Sequence, residues 1–528
     1  MTEVHIGELS EQGADGNFDV CVCGTGPAGI TLAMRLIERG HSVLLLEGGS
    51  RAFTEVSQSI YKGRNVGLDY FDLDVTRLRY FGGTSNHWQG MCRPFDAHDF
   101  EARAHHPLSG WPIRKSELDP YASEVETILE IPTGPWEGVP WAAEEGLQKI
   151  AFRFSPPVRF AEKYGPRLLR SSRAFVVLDA NVVDIRLTRG LSHVDHLLCR
   201  SLMDPGVTRQ VRSRFFVLCL GGLENPRILL NCNRQIAPGI GNERGKVGRY
   251  FCEHPHFTLG EVVFFRDPGE EFQFFSPTAG FITKWKVLNF GLRLHFDRER
   301  EKNPLREAVR SALCAMPPAK RMLDTVRGRS LRCYEDGLVD AVREWVGIAP
   351  MAGRLRIAAE QALNPESRVL LTRETDRLGL RRIALDCRLT EMDYRTLQRA
   401  AERFAMAFAR RELGRIRLRK WVYEPRAPLP TVAEDEVGGN HHMCTTRMAA
   451  APEEGVVDRD CRVFGIDNLY IGGSSVFATS GHANPTYTIV QLALRLADHL
   501  HARLRAETRS VRSPRRRDGE ATAASRFR

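Results

Sequence analysis

An α/β fold is what this 528-residue chain predicts, and three observations predict it. A strand, a glycine-rich turn and a helix follow one another from Phe18. Two apolar-rich tracts, 257–296 and 368–387, read as strands of another sheet. The length allows three or four units of roughly 150 residues, or two large ones whose segments interleave; the interleaved pair is the expectation. With 42% hydrophobic and 27% charged residues, the composition excludes disorder and collagen-like repeats for the bulk of the chain.

The first element is the most informative. Val20, Val22 and Cys23 run into Gly24-Thr25-Gly26-Pro27-Ala28-Gly29, after which Ile30, Ala33, Met34 and Ile37 recur at helical spacing. A second strand, Ser42 to Leu46, ends at Glu47. Each residue type has a task in holding a dinucleotide: Gly24 permits the tight turn, Gly26 lets backbone approach a pyrophosphate, and Gly29 lets the helix lie close on its strand. The helix N-terminus offers free N–H groups and partial positive charge to phosphate. Glu47 stands where a carboxylate accepts from ribose hydroxyls. An ordinary glycine turn would lack this complete order. FAD and NAD both contain ADP, so the half-site does not separate them.

Next, residues 79–99 read RYFGGTSNHWQGMCRPFDAHD. Gly82, Gly83, Thr84 and Ser85 offer flexible backbone and hydroxyls, and His87 follows between Asn86 and Trp88. Alone, this is a polar loop with a buried aromatic, in which His87 could bond its own backbone; spacing does not decide.

The carboxyl-terminal stretch 438–494, GGNHHMCTTRMAAAPEEGVVDRDCRVFGIDNLYIGGSSVFATSGHANPTYTIVQLAL, supplies the context. Together with the first half-site, GGTSNHW, VLCLGGLENPRILL (217–230) and EQALNPESRVLL (360–371), it closely resembles the glucose-methanol-choline (GMC) oxidoreductase family of FAD enzymes. The resemblance spans nearly the whole chain. It implies a Rossmann-type FAD-binding domain assembled from discontinuous segments, 17–256 and 438–502, and a substrate domain, 257–437, built on an antiparallel β-sheet plus helices that roofs the flavin.

The resemblance also implies the site. His441 of His441-His442-Met443-Cys444-Thr445 aligns with the family's catalytic histidine, and Asn484 with the second catalytic position about forty residues later; the family glycine is Cys444 here. Asn followed by Pro resembles the sugar-oxidising branches, such as pyranose oxidase. Gly82, Gly83, Thr84, Asn86, His87, Trp88, Val182, Gly473, Ser474, Asn484, Pro485 and Thr486 join Gly24, Gly26, Gly29 and Glu47 as expected FAD contacts. GGTSNHW is similar to the segment in which pyranose oxidase bonds a histidine covalently to its flavin, which makes His87 a candidate for the same link.

An imidazole beside an amide suits alcohol oxidation. The carbinol gives up a proton and a hydride, and oxidised flavin accepts the hydride. Taking water's ~15.7 as a proxy against ~6.5 for histidine leaves about 12 kcal/mol. A free alkoxide is out of reach, so proton and hydride leave in concert while a donor holds the oxygen. The expected substrate is an alcohol on a sugar, polyol or glycosylated small molecule, with oxygen or another acceptor taking the electrons. Alternatives are a non-redox protein of the hydroxynitrile-lyase kind and oxidation of a non-sugar secondary alcohol in natural-product biosynthesis. A mere FAD-binding protein would have no use for both His441 and Asn484.

The remaining features set boundaries. Of 75 basic residues only ten are lysine, net charge is +10, and Arg503 to Arg528 carry much of the excess in a tail expected to be disordered. A solvated terminus is favoured there over nucleic-acid binding. Residues 297–360 read as a basic helical insert. No apolar run of ~18 residues predicts a membrane span, and the first twenty residues lack a signal's basic and apolar regions, so a cytoplasmic protein is expected. The twelve scattered cysteines form no CxxC pair, adjacent His441 and His442 would point apart in a strand, and no metal is expected.

Overall fold

The structure, a computed structural model, describes residues 3–10, 18–296, 351–424 and 427–512. Its floor is a six-stranded parallel sheet in the order Glu3–His5, Ala174–Leu178, Val43–Leu46, Val20–Cys23, Phe215–Leu218 and Leu469–Ile471. The three central strands, VCVC, VLLL and FFVL, are buried at every residue, as continuous apolar runs covered on both faces must be. Helices α1 (Pro27–Glu38) and α2 (Gly221–Asn231) each follow one of these strands. The floor is thus discontinuous: its last strand comes from the far end of the chain, and its edge strand Glu3–His5 lies ahead of the expected start at residue 17.

The roof is a seven-stranded antiparallel sheet in the order Gly414–Leu418, His256–Phe264, Ala352–Ala359, Phe290–Phe296, Phe272–Pro277, Leu147–Ile150 and Val139–Ala142. One face packs on helix α3 (Glu391–Arg410), whose Leu397, Ala400, Ala401, Phe404, Ala407 and Phe408 are buried in a core shared with Leu355, Ile357, Leu292 and Phe257. The alternate residues of the same strands face the floor. Two roof strands come from 139–150, inside the range expected to belong to the floor. The 368–387 hairpin forms with Arg64–Asn65 a separate three-stranded sheet against α2.

Two expectations are corrected. Residues 352–359, read as part of a basic helical insert, form a central roof strand. Arg354 and Arg356 alternate with buried Leu355 and Ile357, a period of two that the abundance of arginine obscured. The rest of that insert, 297–350, lies outside the described residues. The supposedly disordered tail begins as helix: α4 runs from Thr486 to Arg512. Leu496, Leu500 and Leu504 are buried along it, and Arg503 donates to the Tyr470 hydroxyl at 3.2 Å, so the apolar stripe continues beneath the arginines. Residues 513–528 lie outside the described residues.

No helix among the described residues is long and apolar enough to cross a membrane. The ten described cysteines are free and buried.

Candidate active site

Between floor and roof runs a cavity of about 470 Å³. Its floor is made where the parallel strands end: Gly24 after Val20–Cys23, Glu47 after Val43–Leu46, Leu220 after Phe215–Leu218 and Gly473 after Leu469–Ile471 all line it. Ligands of open α/β sheets bind at this carboxyl edge.

The glycine turn is built for close approach. Gly24 has φ of +101°, and a Cβ there would meet the Cys219 carbonyl at 2.5 Å; one at Gly29 would meet the Gly24 carbonyl at 1.9 Å. Gly29 therefore works beneath the turn, seating helix on strand, and does not line the cavity. Gly26 differs: a Cβ there would meet nothing within 4 Å, and as N-cap of α1 it brings no side chain to the helix's first N–H groups. The open space above a bare helix N-terminus fits a pyrophosphate. Glu47 accepts from the Thr25 N–H at 3.3 Å, the Thr25 hydroxyl and the Gly49 N–H at 2.8 Å. A carboxylate accepts about four hydrogen bonds, which leaves capacity for a ribose hydroxyl. Val182 lines the same end.

The GGTSNHW loop lies against this turn: the Gly82 N–H donates to Thr25 Oγ1 at 3.2 Å. Gly83, Thr84, His87 and Trp88 line the cavity. Gly82 and Asn86 do not, the Asn86 amide being spent on the Phe81 carbonyl at 3.0 Å. The His87 backbone bonds the Thr84 carbonyl at 3.3 Å, while its imidazole faces the cavity. Partial burial and nearby Arg159 lower the His87 pKa, so the ring stays neutral.

At the other end, two left-handed residues, Asn440 (φ 58°) and Cys444 (φ 68°), flank His441 and His442. Cys444 adopts the conformation a glycine would take freely, held by its N–H on the Ser474 carbonyl at 3.1 Å. The adjacent histidines diverge. His442 turns to the Tyr70 hydroxyl at 3.2 Å, and burial beside Arg77 pushes its pKa down to about 3. His441 turns to Asn484, whose amide nitrogen is 3.3 Å from Nε2. Beneath the loop, the buried Glu253 carboxylate accepts the His441 N–H at 2.8 Å and 2.9 Å, the His254 N–H at 2.8 Å and the Tyr70 hydroxyl. Burial raises it to about 7.

A hydrogen-bond chain sets the His441 tautomer. His254 Nε2 lies 3.0 Å from the Ser480 carbonyl, which can only accept, so Nε2 carries the proton. Burial pushes the His254 pKa down to about 4; the ring is neutral and its Nδ1 is a lone pair. That lone pair is 3.0 Å from His441 Nδ1, which must donate to it. Burial and the neighbouring His254 and His256 rings hold the His441 pKa well below its ordinary value, so its Nε2 is unprotonated. The cavity is thus presented with a base at Nε2 and an amide donor from Asn484. An alcohol hydroxyl placed there donates to one and accepts from the other.

His254 and His256 were not anticipated from the sequence. With His441 they bring ring nitrogens within 4.8 Å of one another, a donor set in place of the none expected, although His254 and His441 already satisfy each other. Among the other expected contacts Gly473, Ser474, Pro485 and Thr486 line the cavity. The Ser474 hydroxyl is turned away, donating to the His442 carbonyl at 2.7 Å.

A dinucleotide cradle under an antiparallel roof, with a neutral imidazole and an amide facing the gap, defines an FAD-dependent oxidoreductase with separate nucleotide and substrate layers. Residues 364–493 match the family model of the GMC oxidoreductases. It is 22% identical to 2-methyl-1,2-propanediol dehydrogenase of Mycolicibacterium austroafricanum, over 92% of this chain and 95% of that one. It is 24% identical to a C-glycoside 3-oxidase of Microbacterium trichothecenolyticum, over 81% and 76%. Among solved structures, pyridoxine 4-oxidase from Mesorbium loti shares the fold with a TM-score of 0.56 at 18% identity, over 92% of this chain and 99% of that one.

Proposed function

We propose that this protein oxidises a carbinol of a sugar, polyol or glycosylated small molecule to the carbonyl. The observation that carries the reading is the His254–His441–Asn484 chain, which leaves the unprotonated His441 Nε2 beside an amide donor on the cavity wall. His441 takes the hydroxyl proton at Nε2, and Asn484 donates to the same oxygen, fixing the angle at which the carbon presents its C–H bond. When bound, FAD supplies the hydride acceptor. Gly24, Gly26, Glu47, Gly83, Thr84, Val182, Gly473, Pro485 and Thr486 would hold it, in the cradle that Gly26 leaves open. His441 stays neutral because its buried surroundings disfavour the imidazolium. The names of the relatives, a diol dehydrogenase and a glycoside oxidase, support a polyhydroxylated substrate.

The test is a panel of sugars, polyols and secondary alcohols given to the holoenzyme with a dye acceptor, in air and under argon. Turnover by a polyhydroxylated alcohol is expected, and oxygen consumption without dye separates an oxidase from a dehydrogenase. A panel that leaves the anaerobic flavin absorbance unbleached contradicts the reading.

The covalent link through His87 is part of the same proposal. Its neutral imidazole lines the cavity with no hydrogen bond to its ring among the described residues, leaving a nitrogen free to bond the flavin. Acid precipitation is expected to leave yellow colour in the pellet; complete release of flavin to the supernatant rejects the link.

A further inference from the structure

The roof carries a charge that the reaction does not use. In the antiparallel register His256 pairs with Ala358, and Ala358 with Gly291; two residues along, Thr258 pairs with Arg356, Arg356 with Arg293, and Arg293 with Phe274. Side chains two residues apart share a face, so Arg356 and Arg293 point to the same side as His256, about 7 Å farther along the strands. His256, Phe274, Arg293 and Arg356 all line the cavity that holds His441 and Asn484.

Two arginines directly opposite one another across a strand pair repel. Arg356 is compensated, by Glu436 and, at 3.9 Å, Asp435. Arg293 has no such direct partner: among the described residues no carboxylate lies within ion-pair reach of it and its guanidinium makes no hydrogen bond, while the Phe272 ring lies 5.6 Å away. Burial first and then Arg356 depress its pKa, opposed only from a distance by Glu436, which is itself paired to Arg356, and both arginines in turn help to keep His256 neutral. A half-buried cation facing a like charge costs stability unless something anionic completes it.

We propose that the substrate carries an oxyanion, as a sugar acid or sugar phosphate does, and that Arg293 binds it at the end of the molecule away from the reacting carbinol. This rests on the alcohol-oxidation reading. The guanidinium fork matches carboxylate and phosphate alike, and the Phe274 and Phe152 rings, tilted at 47° with centroids 4.8 Å apart, both line the cavity beside it and offer an apolar wall to the sugar. Arg293 is thereby a specificity residue, distinct from the proton-transfer pair.

The experiment titrates full-length holoenzyme anaerobically with matched probes: glucose against glucuronate and glucose 6-phosphate, and galactose against galacturonate. Wild type is compared with Arg293→Gln and Arg293→Lys. The wild type is expected to bind an anionic probe more tightly than its neutral partner, and R293Q to lose roughly 10- to 100-fold in affinity for the anion. R293Q should leave the neutral probe within about twofold, and R293K should recover part of the loss. The uronate and phosphate arms identify which oxyanion is read.

Removing one of two facing charges should leave the melting temperature of R293Q equal to or above that of wild type; a lower value makes Arg293 structural and overturns the proposal. Equal affinity for charged and neutral probes, or an equal loss for both in R293Q, also overturns it. Binding is read from the flavin difference spectrum as well as from bleaching. A preference for anions without bleaching by any probe would therefore defeat the oxidation reading while the charge preference stands.

Discussion

His441 and His442 are chemically identical neighbours, and their surroundings give them different work. His442 is tied to Tyr70, while His441 receives its tautomer from His254 and keeps Nε2 for the cavity. That assignment carries a pH dependence. Burial and the His254 and His256 rings lower the His441 pKa, so the base is already unprotonated near neutral pH. The acid limb of the anaerobic flavin-reduction rate should fall below the ordinary histidine value of ~6.5. His254→Ala removes both the neighbouring ring and the acceptor of the Nδ1 proton. Its acid limb should move up towards ~6.5, and its rate at pH 8 should fall about 10- to 100-fold, as when a partner orienting a reactive imidazole is lost. An unmoved limb would assign the tautomer to something else.

Among the elements, the long helix α4 joins the catalytic end to the floor. It begins two residues after Asn484 and packs beside α1, where Asp498 accepts from Arg35 at 3.2 Å. Its final turns, rich in arginine, bury Leu504 at 1% exposure. A chain ending after Ala502 should lose about 1.5–3 kcal/mol from that side chain alone. Thermal unfolding should show it less stable than a chain ending after Arg512; equal melting temperatures would mean that the terminal turns contribute nothing.

What was legible in the sequence follows from range. The strand–turn–helix unit was readable because its glycines, helix and Glu47 lie within one βαβ unit, where the steric demands are local. The hairpin at 368–387 was readable for the same reason. His254 and His256 were not: they meet His441 only because the roof strand His256–Phe264 is laid over a loop nearly two hundred residues later in the chain. The spacing of two in EHPH, which puts both rings on one side of an extended strand, was the available signal. The Ala352–Ala359 strand was missed because arginines, Arg354 and Arg356, alternate with its buried Leu355 and Ile357, and charge patterning alone assigns them as readily to a helix.

For the whole molecule, floor and roof are centred on two apolar cores that border the cavity, so on the proposed reading the reacting carbon is held between them. Nucleotide binding and proton transfer are therefore separable. On the proposed reading the floor glycines and Glu47 would hold FAD, whereas His441 enters from the loop beside the roof. Removing the imidazole should spare the first and destroy the second.

The decisive measurement is anaerobic stopped-flow of flavin reduction in wild type and His441→Ala, each loaded with FAD and mixed with the best alcohol from the panel. His441→Ala should retain its flavin and reduce it about 10²- to 10⁴-fold more slowly, the range for loss of a positioned general base. Reduction at the wild-type rate would show that the imidazole of His441 does not take the hydroxyl proton.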